Sequence, residues 1–121
     1  MKTCLVVDDS RVIRMVARKI LEDLGFDVTE AENGQIALDI CQKSLPDGVL
    51  LDWVMPVMDG LEFMKRMRAL PGGSETKVVF CSTESDVGRI REAIANGADE
   101  YIMKPFDSEI VRSKFIQVGL L

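Results

Sequence analysis

Residues 46–60 read Pro-Asp-Gly-Val-Leu-Leu-Asp-Trp-Val-Met-Pro-Val-Met-Asp-Gly. The run Val49-Leu50-Leu51 is apolar without alternation, the pattern of a strand covered on both faces, so it is expected at the centre of a parallel sheet. Pro46-Asp47-Gly48 turns the chain into it, and Asp52 stands at its carboxyl end. Ligands of open parallel sheets bind beyond the carboxyl ends of the strands, which puts Asp52 where chemistry is expected.

The same unit repeats on either side. Upstream, Cys4-Leu5-Val6-Val7 reads as a first strand, and Ile13, Val16, Ala17, Ile20, Leu21 and Leu24 recur at helical spacing between a Ser10 cap and Gly25, a natural stop. Phe26 to Ala31 reads as a second strand, and its partial alternation with Asp27, Thr29 and Glu30 suggests an edge. After Asn33-Gly34, the residues Ile36, Ala37, Ile40 and Cys41 form the expected inner face of a second helix.

Downstream, Asp59 and Glu62 form a capping-box-like pair for a helix facing inward with Phe63, Met64, Met67 and Leu70, closed by Pro71-Gly72-Gly73. Val78 to Cys81 is the fourth strand, followed by a helix on Val87, Ile90 and Ile94 that ends at Asn96-Gly97. Tyr101-Ile102-Met103 is the fifth strand, then Lys104-Pro105, then a helix on Val111, Phe115 and Val118. The pattern is (βα)5, an α/β domain with a mainly parallel sheet, expected to occupy residues 1–121 as one unit.

Composition narrows the function. The chain has 121 residues, 47% of them apolar and 29% charged, which suits one folded domain. Twenty acids against fifteen bases give a net charge of -5, the wrong sign for general attraction to nucleic acid. With no His, the chain can be neither a His-based catalyst nor a phosphohistidine carrier. Cys4, Cys41 and Cys81 lack metal-type spacing and sit in apolar runs, so buried reduced thiols and a cytoplasmic location are expected. No apolar run approaches membrane-spanning length. Arg11, Arg14, Arg18 and Lys19, and separately Lys65, Arg66 and Arg68, read as the solvated faces of the first and third helices.

The residues that follow the strands form a pattern of their own. Asp8 and Asp9 follow the first strand, Asp52 the third, Ser82 and Thr83 the fourth, and Lys104 the fifth. If the first and third strands are neighbours, three carboxylates converge, and each pair at about 4–5 Å repels by about 3–4 kcal/mol at an effective dielectric near 20. Mg2+, a hard cation that takes oxygen ligands and engages phosphate oxygens, would relieve this, with Lys104 as a fixed second charge. A carboxylate beside a metal, a hydroxyl and a lysine has the parts needed to accept a phosphoryl group, and Asp52, alone after the central strand, is the best nucleophile.

Asp8-Asp9, Asp52 with Met55-Pro56 and Asp59-Gly60, Ser82, and Lys104-Pro105 together resemble the receiver domain of bacterial two-component response regulators, over essentially the whole chain. The resemblance implies a flavodoxin-like fold with strand order 2-1-3-4-5 and helices on both faces. It also implies that Asp52 is the phosphoacceptor and that Asp9, Asp52 and the Val54 carbonyl bind Mg2+ directly, with Asp8 acting mostly through water. Ser82 and Lys104 would hold the phosphoryl oxygens, Ser82 and Tyr101 would form the switch, and the Lys104-Pro105 bond would be cis.

The implied partner upstream is a sensor histidine kinase or a histidine phosphotransfer protein. Output would go through a protein target, since no effector domain, nucleic-acid contact or membrane contact is expected; the flagellar motor switch is one candidate target and an adaptor or phosphate-sink role is another. A monomer or transient dimer is expected. Such a domain is not an enzyme beyond its own phosphorylation and dephosphorylation.

The principal rival is an aspartyl-phosphate enzyme resembling the haloacid dehalogenases, which carry a second acid two residues after the nucleophile; position 54 here is Val. A flavin or dinucleotide binder would need a G-x-G-x-x-G after the first strand, and none is present. Val54, where many chemotaxis regulators have Asn, and Thr83, where Ala or Gly is usual, depart from the family pattern and bear on access and hydrolysis, with Glu84 able to position water. Val54→Asn is therefore expected to change the lifetime of the phosphorylated state, measured as the decay rate of the phosphoprotein; equal rates would remove any role for this side chain.

Overall fold

The computed structural model describes residues 2–83 and 87–121, and among them five strands alternate with five helices. The strands are β1 (Thr3–Val7), β2 (Asp27–Ala31), β3 (Gly48–Asp52), β4 (Lys77–Thr83) and β5 (Glu100–Lys104). They form one parallel sheet in the order β2-β1-β3-β4-β5, so the run around Val49 is central and the alternating strand is an edge, as the sequence predicts.

The helices are α1 (Arg11–Asp23), α2 (Gly34–Lys43), α3 (Gly60–Arg68), α4 (Val87–Ala95) and α5 (Ser108–Gln117). Strand side chains alternate between faces, which divides the core in two. Leu5, Val7, Val49, Leu51, Val78 and Phe80 meet residues of α2, α3 and α4 on one face. Cys4, Val6, Leu50, Val79, Cys81 and Ile102 meet α1 and α5 on the other. A fully buried side chain such as Phe63 or Leu21 contributes about 1.5–3 kcal/mol by leaving water.

Among the described residues, side chains cap four of the helices. Ser10 Oγ accepts from the Ile13 N–H, and the Asn33, Asp59 and Asp107 side-chain oxygens accept from the N–H groups of Ile36, Glu62 and Ile110. Each cap is worth about 1 kcal/mol and fixes where the chain turns from strand into helix. The Glu62 carboxylate pairs with Arg66 one turn along α3, at 2.6 Å.

Two helices are rotated from the expected orientation. In α2 the buried positions are Gly34, Ala37, Leu38 and Cys41, while Ile36 is exposed. The reason is Gly34: its N–H donates to the Met58 carbonyl at 3.1 Å, and a Cβ there would lie 2.5 Å from that oxygen. In α4, Ala93 is buried and Ile90 half-buried, whereas Val87 and Ile94 are exposed. Small Ala93 is the α4 residue that joins Val78 and Phe80 in the core.

All three cysteines are buried and unpaired. Burial pushes Cys4 up to about 12 and Cys41 to about 11, and raises Cys81 as well, so these thiols are unreactive core residues. No helix among the described residues is long and apolar enough to cross a membrane.

At the amino edge of the sheet, opposite the acids, Arg68 is a clamp rather than the solvated base its sequence context suggests. Its guanidinium donates to the carbonyls of Gly73 (2.8 Å), Gly97 (2.6 Å) and Thr76, and to Asp99 Oδ2 (3.0 Å), which itself accepts from Val78 N–H. One planar fork thus joins the end of α3 to the loops before β4 and β5. Arg68→Ala is expected to cost about 2–3 kcal/mol in urea unfolding. Arg68→Lys should recover less than half of that loss, because an ammonium cannot span the same acceptors.

Candidate functional site

Register places the acids together. Val7 of β1 lies beside Leu51 of β3, so the next residues, Asp8 and Asp52, are neighbours at the carboxyl edge. Asp8 shares the side-chain direction of Val6, Asp52 that of Leu50, and Lys104 that of Ile102, all of which belong to the half-core under α1 and α5. Two-residue periodicity thereby turns two carboxylates and one ammonium to the same side of the sheet edge.

Lys104 Nζ donates to Asp8 Oδ2 at 2.8 Å and lies 3.2 Å from Asp52 Oδ1. Asp8 is 3% exposed, and its Oδ1 accepts from Ser10 N–H at 2.9 Å. Asp52 Oδ1 also accepts from Trp53 N–H at 2.9 Å, which leaves Oδ2 clear of donors among the described residues. Carboxylate oxygens of Asp8, Asp9 and Asp52 lie within 4.8 Å of one another. Asp9 is exposed and its side chain makes no hydrogen bond to a described residue.

Burial, then the charge of Asp8, push the Asp52 carboxyl above its ordinary range, while Lys104 and the Trp53 N–H oppose them. Burial pulls Lys104 down, but its hydrogen bond to Asp8 and the charge of Asp52 outweigh this and hold the ammonium above its usual value. Three carboxylates and one ammonium leave two negative charges uncompensated at the edge. An all-oxygen donor set with that deficit suits a hard divalent cation, and Mg2+ fits it.

The loop after β3 holds Asp52 in place. Gly60 N–H donates to the Trp53 carbonyl at 2.9 Å, and a Cβ on Gly60 would lie 2.2 Å from the Asp52 carbonyl oxygen, so no larger residue fits there. Between them Val57 has a φ of 70°, with Met58 N–H donating to the Pro56 carbonyl at 2.8 Å, a strained γ-turn for a β-branched residue. Val54 lies on this loop with an exposed side chain. The Lys104-Pro105 bond is cis, as expected.

Ser82 and Tyr101 have the opposite strand direction and are not gathered with the acids. They line a small cavity on the α4 side together with Trp53, Phe80, Arg89 and Ile90. The buried Ser82 Oγ has no hydrogen-bond partner among the described residues. The Tyr101 ring has Lys114 Nζ 5.3 Å from its centre, and Trp53 packs on Phe80 with ring centres 5.4 Å apart. Thr83 ends β4 beside Lys104; its side chain and all of Glu84 lie outside the described residues.

The model of the response regulator receiver domain matches residues 4–115. The chain belongs to the response regulator receiver family. It is 37% identical over 116 residues to a chemotaxis protein CheY homolog of Campylobacter jejuni, covering 94% of this chain and 89% of that one. It is 39% identical over 108 residues to the chemotaxis protein CheY of Listeria monocytogenes, covering 88% and 89%. The solved structure of Vibrio cholerae chemotaxis protein CheY4 superposes with a TM-score of 0.91 at 35% identity over 98% of both chains.

Sequence reasoning takes Arg14 and Arg18 of this receiver domain for the solvated face of α1, and the structure corrects this. Arg14 Nη1 donates to the Asp8 carbonyl at 2.6 Å and its Nε to Glu30 Oε1 at 3.1 Å. Arg18 donates to Glu30 Oε2 at 2.7 Å and to the Val28 carbonyl at 3.0 Å. The available signal was Glu30 itself, an acid in an otherwise half-apolar strand beside a helix with bases at i and i+4.

The hydrogen bond from Arg18, helped by Arg14 and opposed by burial, holds the Glu30 carboxyl below its ordinary range. A depressed folded-state value stabilises the fold above the unfolded value and loses that contribution as pH falls through the folded one. The stability gap between the wild-type protein and Glu30→Gln should therefore be full at neutral pH and close as pH drops below about 4. Urea midpoints across that range check it; a constant gap would mean that the carboxylate charge contributes nothing.

Proposed function

We propose that this receiver domain takes a phosphoryl group from a phosphohistidine on a sensor histidine kinase or histidine phosphotransfer protein, onto Asp52, in the cytoplasm and with Mg2+. The observation that carries the reading is the Lys104 ammonium bridging Asp8 and Asp52 with Asp9 in the same cluster. Bound Mg2+ would supply positive charge to the transferring phosphoryl oxygens, held by Asp9, Asp52 and the Val54 carbonyl, with Asp8 acting through water.

Asp52 Oδ2 attacks phosphorus as the bond to the donor imidazole breaks, and the imidazole departs with that electron pair. Lys104 neutralises charge on the equatorial oxygens. Ser82, whose buried hydroxyl lacks a partner among the described residues, donates to one of them. Drawing that hydroxyl toward Asp52 vacates part of the cavity shared with Tyr101 and permits the ring to turn inward, changing the face made by α4, β5 and α5.

Residues 1–121 act on this reading as one receiver unit, and the chemotaxis names of its relatives support an output of that kind through a protein target. The dehalogenase-like alternative is disfavoured by Val54, which offers no proton for a leaving group. Intact mass after treatment with a small phosphodonor and Mg2+ should show one added phosphoryl group on the wild-type chain and none on Asp52→Asn. Equal modification of both would reject Asp52 as the acceptor.

A further inference from the structure

Both backbone polar groups of Asp8 are tied to the edge strand, the N–H directly and the carbonyl through Arg14. Asp8 N–H donates to the Ala31 carbonyl at the end of β2 at 3.1 Å. The Asp8 carbonyl accepts from Arg14 Nη1 at 2.6 Å, and Arg14 is in turn fixed through Nε to Glu30 of β2. The Arg14 side chain is 13% exposed, so these bonds form largely out of water.

The consequence falls on Asp9. The Asp8 carbonyl belongs to the same planar unit as the Asp9 N–H, so fixing the one fixes the direction in which Asp9 leaves the strand. No described residue holds the Asp9 carboxylate, so the backbone is the constraint that the described residues place on its aim. Arg14 is also placed so that its charge and its geometry act in opposite senses. A cation near three carboxylates weakens their attraction for a metal, whereas a fixed Asp8–Asp9 peptide strengthens chelation by removing the cost of ordering it.

We propose that Arg14, held by Glu30, is a positioning residue for divalent-metal binding, its hydrogen bond to the Asp8 carbonyl orienting the Asp8–Asp9 pair. This rests on the reading of the acid cluster as a Mg2+ site. Binding is measured directly from the loss of the free-ion EPR signal of Mn2+, with Mg2+ as competitor, on the full chain and without a phosphodonor.

Arg14→Ala and Arg14→Lys should both bind more weakly than the wild-type protein, the first by about tenfold or more. The lysine fails to rescue because one ammonium does not reproduce the paired Nε and Nη1 bonds. Arg18→Ala, which loses contacts to Glu30 and Val28 but none to Asp8, should remain within about twofold of the wild-type affinity while losing stability in urea. Tighter binding by Arg14→Ala would mean that Arg14 acts through its charge, and unchanged binding by both folded Arg14 variants would mean that it serves stability alone. Either result overturns the proposal. A wild-type chain that binds neither ion would instead overturn the metal-site reading on which it rests.

Discussion

Like charges at the edge of a parallel sheet are the constraint around which this molecule is built. Carboxylates within 4.8 Å of one another repel by about 3.5 kcal/mol or more per pair at an effective dielectric near 20, and one of them, Asp8, is almost fully buried. Lys104 makes the arrangement tolerable. It reaches the acids because three parallel ladders carry register from β1 through β3 and β4 to β5, a span of ninety-six residues between Asp8 and Lys104. A one-residue slip in any ladder would send the ammonium to the wrong face.

Concentrating repulsion and strain at the carboxyl edge requires firm attachment elsewhere. The Val57 backbone, at a φ of 70°, carries a cost of about 1–3 kcal/mol that persists only because Gly34 and Gly60 fasten the loop on either side. The opposite edge carries no such burden. There Arg68 gathers carbonyls from the loops before β4 and β5, and Asp47 accepts from the backbone N–H and hydroxyl of Thr3 to tie the start of β1 to the turn before β3. Hydrogen bonds tie the strands together at the edge opposite the clustered acids, and the sheet between them lets the first offset the repulsion of the second.

The sequence is most legible where structure is local. A helix cap depends on residues three apart, and Ser10, Asn33, Asp59 and Asp107 all cap helices that the hydrophobic spacing predicts or closely approximates. Acids at strand ends are visible for the same reason: a strand's end is marked by its own composition. What escaped depends on distant partners. Whether Arg14 is solvated or fixed is decided by Glu30 on another strand, and the fate of Arg68 by carbonyls near Gly73 and Gly97. The rotation of α2 likewise turns on contact between Gly34 and Met58, which no helical periodicity contains.

Alternation along the strands also explains why Ser82 and Tyr101 stand apart from the acids. Phe80, Ser82 and Tyr101 share the side-chain direction that leads into the half-core under α3 and α4, while Asp52 and Lys104 lead to the other. Ser82 follows directly after Cys81, the last ladder partner between β3 and β4 and the neighbour of Asp52, so its hydroxyl stands next to the acids along the strand although it points to the other face. Leaving the Ser82 hydroxyl buried and unpartnered costs about 1–3 kcal/mol. Under the proposed reading a phosphoryl oxygen on Asp52 removes that cost, and the recovered free energy is of the size needed to shift a two-state ring position by about fivefold or more. The unsatisfied hydroxyl is then a bias held in the unphosphorylated fold, released on one face of the sheet by chemistry on the other.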